Sequence, residues 1–258
     1  RGIQNTNFFL GNYNSYIQYL IMAMLYGYLY HARKKQKVSA GWYCIYVIGF
    51  LFYSRKFSVT SSFGLGLILV YHIFFNTRWT RLFLNLKIYT IFNIIFFGLF
   101  VWSPGNSKIL IPVLGMLQKD FTFTGRTTIW MAVKEIIRSS SYLGIGLQSG
   151  ETMTQKIGLT HAVHAHNLYL NILLTLGIGG MLLFIIIFLH TAYRISLIKE
   201  KKVRYFMENV LGILMFMSQF EAYSMKFVFS IMTLFCLYAE QERAPVGGNV
   251  GENKGNYL

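Results

Sequence analysis

Seven apolar runs constrain this 258-residue chain more than any other feature of its sequence. They extend over Phe8 to Tyr30, Trp42 to Tyr53, Phe63 to Phe75, Ile88 to Trp102, Leu168 to Leu189, Val210 to Phe220 and Phe227 to Tyr238. About 20 helical residues cross the hydrocarbon core of a bilayer, and several runs approach that length, although the second and third are short for a full span. Charged residues make up 13% of the chain, against about 25% in soluble domains. The pattern predicts an all-α fold, a polytopic transmembrane helix bundle of about seven apolar segments.

One polar stretch interrupts the pattern. Residues 104–167 lie between the fourth and fifth runs and cannot sit in lipid as they stand. The organisation predicted is therefore transmembrane helices over 1–103, a large helical loop over 104–167, further transmembrane helices over 168–243, and a disordered Gly/Asn-rich tail over 244–258. Lys and Arg in the short loops set the orientation. Loops 31–41, 77–87 and 190–206 hold twelve of them, whereas the short loops of opposite parity hold Arg55, Lys56 and Lys226. The positive-inside rule places the richer set in the cytoplasm. The 104–167 loop then lies on the outer face of the cell membrane, together with SRKFSVTSS around Arg55. ATP and nucleotide sugars are absent there, so any chemistry must use pre-activated substrates. The chain begins with Arg1, not Met, and reads as a fragment that lacks earlier membrane helices.

The net charge of +15 argues for an anionic partner or leaflet, and nothing resembles a nucleic-acid module. Cys44 and Cys236 lie within apolar runs and read as packing residues. Asp120 is the only aspartate, so no Asp-x-Asp pair can hold a metal nucleotide. The carboxylates on the outer side are Asp120, Glu135, Glu151 and Glu221. There is neither a phosphate-binding glycine loop nor a G-x-S-x-G elbow.

Within the loop, Gly125 to Ser139 predicts a helix with Thr124 as N-cap. Ile129, Val133, Ile136 and Ile137 share one face, and Arg126, Lys134 and Arg138 fan over about 120° beside it. This basic arc reads either as a solvated face with snorkelling stems or as a phosphate grip led by Arg126, whose fork suits phosphate oxygens. Next come His161, His164, His166 and Asn167, immediately before the fifth run. Three close histidines invite a metal, but no second group of carboxylates or thiols accompanies them, and the reading is metal-free. A structural role in capping stays open beside substrate binding or acid–base work. The N-terminus of the fifth run favours anions at His166 and Asn167, and histidine transfers protons near neutral pH.

The ordered set of motifs resembles the O-antigen polymerase and O-antigen ligase superfamily, which includes capsular and exopolysaccharide repeat-unit polymerases. The pieces are Gly125-Arg126-Thr127-Thr128-Ile129-Trp130, Leu143-Gly144-Ile145-Gly146, His164-Ala165-His166-Asn167-Leu168-Tyr169-Leu170 and Leu176-Gly177-Ile178-Gly179-Gly180. Leu10-Gly11-Asn12-Tyr13-Asn14 also resembles the family's entry to a spanning helix. The family's Thr-x-Ser-Arg element is incomplete in Val59-Thr60-Ser61-Ser62, where Arg55 is the nearest arginine.

The resemblance implies a glycosyltransferase that needs neither metal nor cofactor. Its donor would be an undecaprenyl-pyrophosphate-linked oligosaccharide in the bilayer. The acceptor would be a hydroxyl of another lipid-linked repeat unit or, in a ligase, of a lipid A core. It implies His164 and His166 as catalytic residues, with Arg126, Asn167, Arg138, Arg55 and Asn14 binding pyrophosphate or glycan. A flippase and a chain-length regulator are the protein partners it suggests. A lipid-linked oligosaccharide flippase is the alternative of a different class. It would carry ionisable residues at mid-membrane depth, of which these runs hold almost none.

Overall fold

The structure, a computed structural model, describes residues 7–8, 11–56, 59–74, 84–103, 125–140, 142–159, 162–223 and 225–243. Much of the expected outer loop (104–124), His161, Thr124 and the tail from 244 lie outside the described residues. Among those described, the architecture is helical apart from a minimal hairpin, in which β1 (Asn7–Phe8) pairs antiparallel with β2 (Gly11–Asn12). The helices are α1 (Tyr13–Arg33), α2 (Ala40–Lys56), α3 (Val59–Phe74), α4 (Leu86–Phe96, continued as a π-helix to Trp102), α5 (Arg126–Ser139), α6 (Gly150–Ile157), α7 (Leu168–Ser196), α8 (Lys201–Met217) and α9 (Met225–Arg243).

The boundaries differ from the apolar runs in instructive ways. The first run was expected to be helical from Phe8, but the hairpin takes its start. Arg55 and Lys56 finish α2, and Val59 opens α3, so most of SRKFSVTSS is helical. The basic stretch expected as a loop is divided: Arg194 lies in the last turn of α7, residues 197–200 form the turn, and Lys201, Lys202 and Arg204 open α8. Polar residues at the ends of apolar helices cost little there, so apart from the start of α1 hydropathy places these helix ends too far inward.

The main core gathers α1, α2, α3, α8, α9 and both arms of α7 around Ile17, Tyr46, Leu65, Leu211, Ile231 and Phe235. A second apolar cluster carries the loop region. Trp130 and Val133 of α5 and Met153 and Ile157 of α6 pack on Leu170 and Leu174 of α7 and on Val101 of the π-helix. Lys134 does not join a solvated basic face. It is buried, and its ammonium donates to the Trp102 carbonyl at 2.8 Å, which ties α5 to the end of the π-helix. Burial, then the nearby Arg138 charge, lowers its pKa against the pull of Glu135.

By length and composition, α7 is the one described helix long and apolar enough to cross a membrane. It is not a straight rod. Gly177 has φ 65° and ψ −159°, which no helical residue adopts. The rings of Tyr169 and Phe184 are 6.0 Å apart, whereas fifteen residues of continuous helix would separate them by about 22 Å. The two arms, 168–176 and 178–196, therefore fold back on each other at Gly177. This corrects the expectation of one span from Leu168 to Leu189. The first arm, roughly 13 Å long, is too short to cross, and the second is about 28 Å long, close to a hydrocarbon thickness. The break exposes backbone groups, and the Leu143–Gly146 motif satisfies them. Ile145 N–H donates to Leu174 O at 2.8 Å, Gly146 N–H donates to Thr175 O at 3.0 Å, and Ile178 N–H donates to Tyr142 O at 2.9 Å. Gly144, at φ 73°, lies against this same backbone: a Cβ there would be 2.7 Å from Gly177 N. The two glycine motifs, 33 residues apart in sequence, form one backbone joint.

Candidate functional site

Three chain ends meet at one place: the start of α5, the turn before α7, and the turn between α8 and α9. Their convergence is fixed by buried amides. Asn167 caps α7, its side-chain oxygen accepting from Leu170 N–H at 2.9 Å. Its amide nitrogen donates to Gln219 O at 2.8 Å and to Gln219 Oε1 at 3.3 Å. Gln219 in turn donates to Asn93 O and Oδ1 at 3.1 and 3.3 Å. Asn167 and Gln219 are 0% and 1% exposed, so each of these bonds replaces one that water cannot supply. Leu168 N–H also donates to Ser218 O at 2.9 Å. The chain Asn93–Gln219–Asn167 thus locks α4, the α8–α9 turn and the head of α7 together.

Glu221 stands on that locked turn, buried, and draws two cationic or protonatable groups toward it. The Arg126 guanidinium approaches Glu221 Oε2 at 3.5 Å, and His166 Nδ1 lies 3.8 Å from Oε1, an ion-pair contact too long for a hydrogen bond. His166 adopts φ 46°, in the left-handed region, which turns the chain sharply into α7. Its backbone N–H donates to His164 Nδ1 at 3.1 Å, and the two imidazoles are 4.1 Å apart. That bond engages the unprotonated nitrogen of His164, so the proton of a neutral His164 resides on Nε2.

The electrostatics separate the two histidines. Burial, then the charges of His166 and Arg126, push His164 down to about 4 despite Glu221. His164 is therefore neutral near pH 7 and a poor proton acceptor. For Glu221, burial is the largest influence and raises its pKa. His166, Arg126 and His164 together outweigh it and hold the carboxyl below its ordinary value. Glu221 is ionised at neutral pH.

The donor atoms of His164, His166 and Glu221 all lie within 4.8 Å of one another. The sequence shows no second group of carboxylates or thiols near the histidines, and the fold brings one remote carboxylate, Glu221, to them. A three-donor set of this type suits a nitrogen- and oxygen-loving divalent cation such as zinc. Arg126 on the same carboxylate opposes one.

The other expected site residues fall elsewhere. Arg138 is exposed and pairs with Glu135 at 2.6 Å, three turns along α5 from Arg126. Asn167 has both amide hydrogens and its oxygen engaged within the protein. Asn14 lies in the first turn of α1 and Arg55 near the end of α2, and neither side chain is among those described. Sequence reasoning missed Glu221, Gln219 and Asn93 as site residues. A polar residue inside an apolar run was the available signal for Asn93 and Gln219, since such residues carry a cost in lipid that only a role repays. Beside this amide chain, an apolar cavity of about 430 Å3 opens between α4, both arms of α7 and α8, lined by Phe97, Tyr169, Phe184 and Met215 among others.

A family model described as O-antigen ligase matches residues 42–185 of the chain, more than half its length. The matched stretch includes α5, the joint at Gly177 and both site histidines, and it ends before Glu221. No curated protein and no solved structure matches the chain.

Proposed function

Because the chain belongs to the O-antigen ligase family, we propose that it is a polysaccharide repeat-unit polymerase, a glycosyltransferase of the bacterial cytoplasmic membrane acting at the outer face. The donor is an undecaprenyl-pyrophosphate-linked oligosaccharide, and the acceptor is a sugar hydroxyl of a second lipid-linked repeat unit. Residues 1–103 and 168–243 form the membrane bundle of about seven apolar segments, and 104–167 form the extracytoplasmic part. One observation carries the reading: Arg126 and His166 flank a single buried carboxylate, Glu221, at the head of α7. A group that holds phosphate and a group that takes a proton are thereby presented side by side. The apolar cavity next to them suits the lipid tail of the donor.

The acceptor oxygen attacks the anomeric carbon, the bond from that carbon to the pyrophosphate oxygen breaks, and the acceptor proton passes to His166 Nε2. Glu221, facing Nδ1, stabilises the imidazolium formed. Arg126 offers its fork to the charge that grows on the leaving pyrophosphate. His164 orients His166 through the backbone bond. A ligase would run the same chemistry with a lipid A core as acceptor. A flippase and a chain-length regulator are the protein partners this places nearby.

Arg126→Ala tests the phosphate assignment. Loss of a charge-assisted contact is worth about 1.5–3 kcal/mol, or roughly 10- to 150-fold in turnover when the contact belongs to the transition state. Arg126→Lys keeps the charge without the fork and falls between the alanine variant and the parent. Arg138→Ala, already paired on the surface, stays near the parent. Polymer length and yield, from full-length variants at matched membrane expression, give the ranking. Arg126→Ala at parental yield removes the role.

A second reading rests on the three-donor cluster, with a divalent cation on His164, His166 and Glu221 activating the acceptor hydroxyl. Arg126, 3.5 Å from the carboxylate, favours the metal-free form. Treatment of isolated membranes with EDTA should leave transfer unchanged. Activity lost to chelation and restored by Zn2+ selects the metal reading instead.

A further inference from the structure

The joint at Gly177 leaves one feature that the glycosyl-transfer chemistry does not use. The segment that plugs it, 142–148, reads Tyr-Leu-Gly-Ile-Gly-Leu-Gln and carries no charge. Tyr142, Leu143 and Leu147 are 81%, 78% and 79% exposed, three large apolar side chains turned away from the protein on one short loop. Loops that face water draw on Gly, Pro, Asn, Asp and Ser, and contiguous exposed apolar surface marks a partner.

The position of the loop says which partner. Tyr142 O accepts from Ile178 N–H, so the loop is stitched to the residue where the second arm of α7 begins. From that point the arm itself exposes Ile178, Leu182, Leu183, Ile186 and Leu189. The first arm is the reverse, with Leu168, Leu170, Ile172 and Leu174 all buried. The exposed apolar face of the loop is therefore continuous with the exposed apolar face of the helix arm that has the length of a bilayer crossing. Irregular backbone is tolerated at membrane depth where its polar groups are satisfied inside the protein. Tyr142 O, Ile145 N–H and Gly146 N–H meet that condition through α7.

We infer that 142–147 is a membrane wedge, in which Tyr142, Leu143 and Leu147 contact acyl chains of the outer leaflet at the mouth of the Gly177 joint. The loop region is thereby anchored in lipid at the joint, at the opposite end of the first arm from the site, rather than standing free of the membrane. The inference rests on the proposed membrane placement of the second arm, and the test separates the two. A photoreactive p-benzoylphenylalanine is placed singly at Leu143, Leu147, Leu183 or Glu151 of the full-length protein, which is reconstituted in vesicles of phosphatidylethanolamine and phosphatidylglycerol. After irradiation, mass spectrometry identifies what each position has captured. Lipid adducts are expected at Leu143, Leu147 and Leu183, and Glu151, exposed on α6, should give at least tenfold fewer. Adducts at Leu183 alone overturn the wedge and leave the membrane placement of the arm intact. Absence of lipid adducts at all positions overturns both. Capture of protein in place of lipid at Leu143 and Leu147, from a second copy or from residues 104–124, also overturns the wedge. Reading a location rather than an activity, the experiment is indifferent to which glycan the protein handles.

Discussion

Replacing His166 with asparagine should reduce polymer formation about 10²- to 10⁴-fold, the range carried by a positioned general base. In barrier terms this is about 3–5.5 kcal/mol. Asparagine is the informative substitution because the position has φ 46°. Asn enters the left-handed region more readily than most residues, so the turn into α7 keeps its shape while the proton acceptor is lost. His164→Asn is the companion. It offers a side-chain oxygen to the His166 N–H in place of Nδ1, and it removes a group that burial and the neighbouring charges already keep neutral. It should cost no more than about tenfold. Glu221→Gln keeps the shape and removes the charge facing His166 Nδ1, so it should fall between the two. Polymer yield and length are compared at equal membrane expression, with thermal stability of the purified variants as the control for folding. If His164→Asn is the more damaging change in an equally stable protein, the proton-transfer role belongs to His164.

Gly177→Ala should be the most destabilising single-methyl change in the chain. The residue sits at φ 65° and ψ −159°, a region open essentially to glycine alone, where an L side chain costs on the order of 1–3 kcal/mol. Its Cβ would also run into Tyr142 O and would lie 2.6 Å from Gly144 N and Leu143 C. All three are backbone atoms, which cannot turn aside as a side-chain tip does. The joint would have to open, with loss of its three backbone hydrogen bonds, each worth about 0.5–1.5 kcal/mol. The sum is on the order of 3–6 kcal/mol, or a fall in Tm of roughly 6–20 °C for a chain of this size. Gly179→Ala is the control. An added Cβ there meets nothing within 4 Å and φ is ordinary, so helix propensity predicts a gain of up to about 1 kcal/mol. Melting curves that place the two variants together would show that the arms of α7 are not held by this joint.

The Gly177 joint also shows where sequence reading stops. Leucine, isoleucine and phenylalanine on both sides of Gly177 announce an apolar helix, and the length of the run announces a span. Apolarity measures the cost of transfer from water and is blind to direction, so a straight helix and one folded back at a glycine look alike. What discriminated them was the contact of Tyr169 with Phe184. The Leu143–Gly146 motif was visible as a pattern, yet its purpose required knowing that it and the adjacent Tyr142 satisfy backbone groups 29 to 36 residues further along the chain. Lys134 makes the same point. On a helical projection it belongs to a basic arc with Arg126 and Arg138, and only the π-helix end at Trp102 gives its ammonium a buried partner.

The sequence by itself determined the helical class and the family, and it pointed to Arg126 and His166, which the fold brings to one carboxylate. Apolar runs, a basic arc and a His-x-His-Asn turn are local patterns whose chemistry is carried by the residues themselves. The tertiary structure decided what those groups act with. Glu221 lies 55 residues beyond His166 in the chain and 3.8 Å from it in space. Gln219 and Asn93 hold that closeness through hydrogen bonds spanning 126 residues. Ion pairing and amide pairing depend on distance, and distance between remote residues is set by how α4, α7 and α8 pack. No spacing along the chain encodes it.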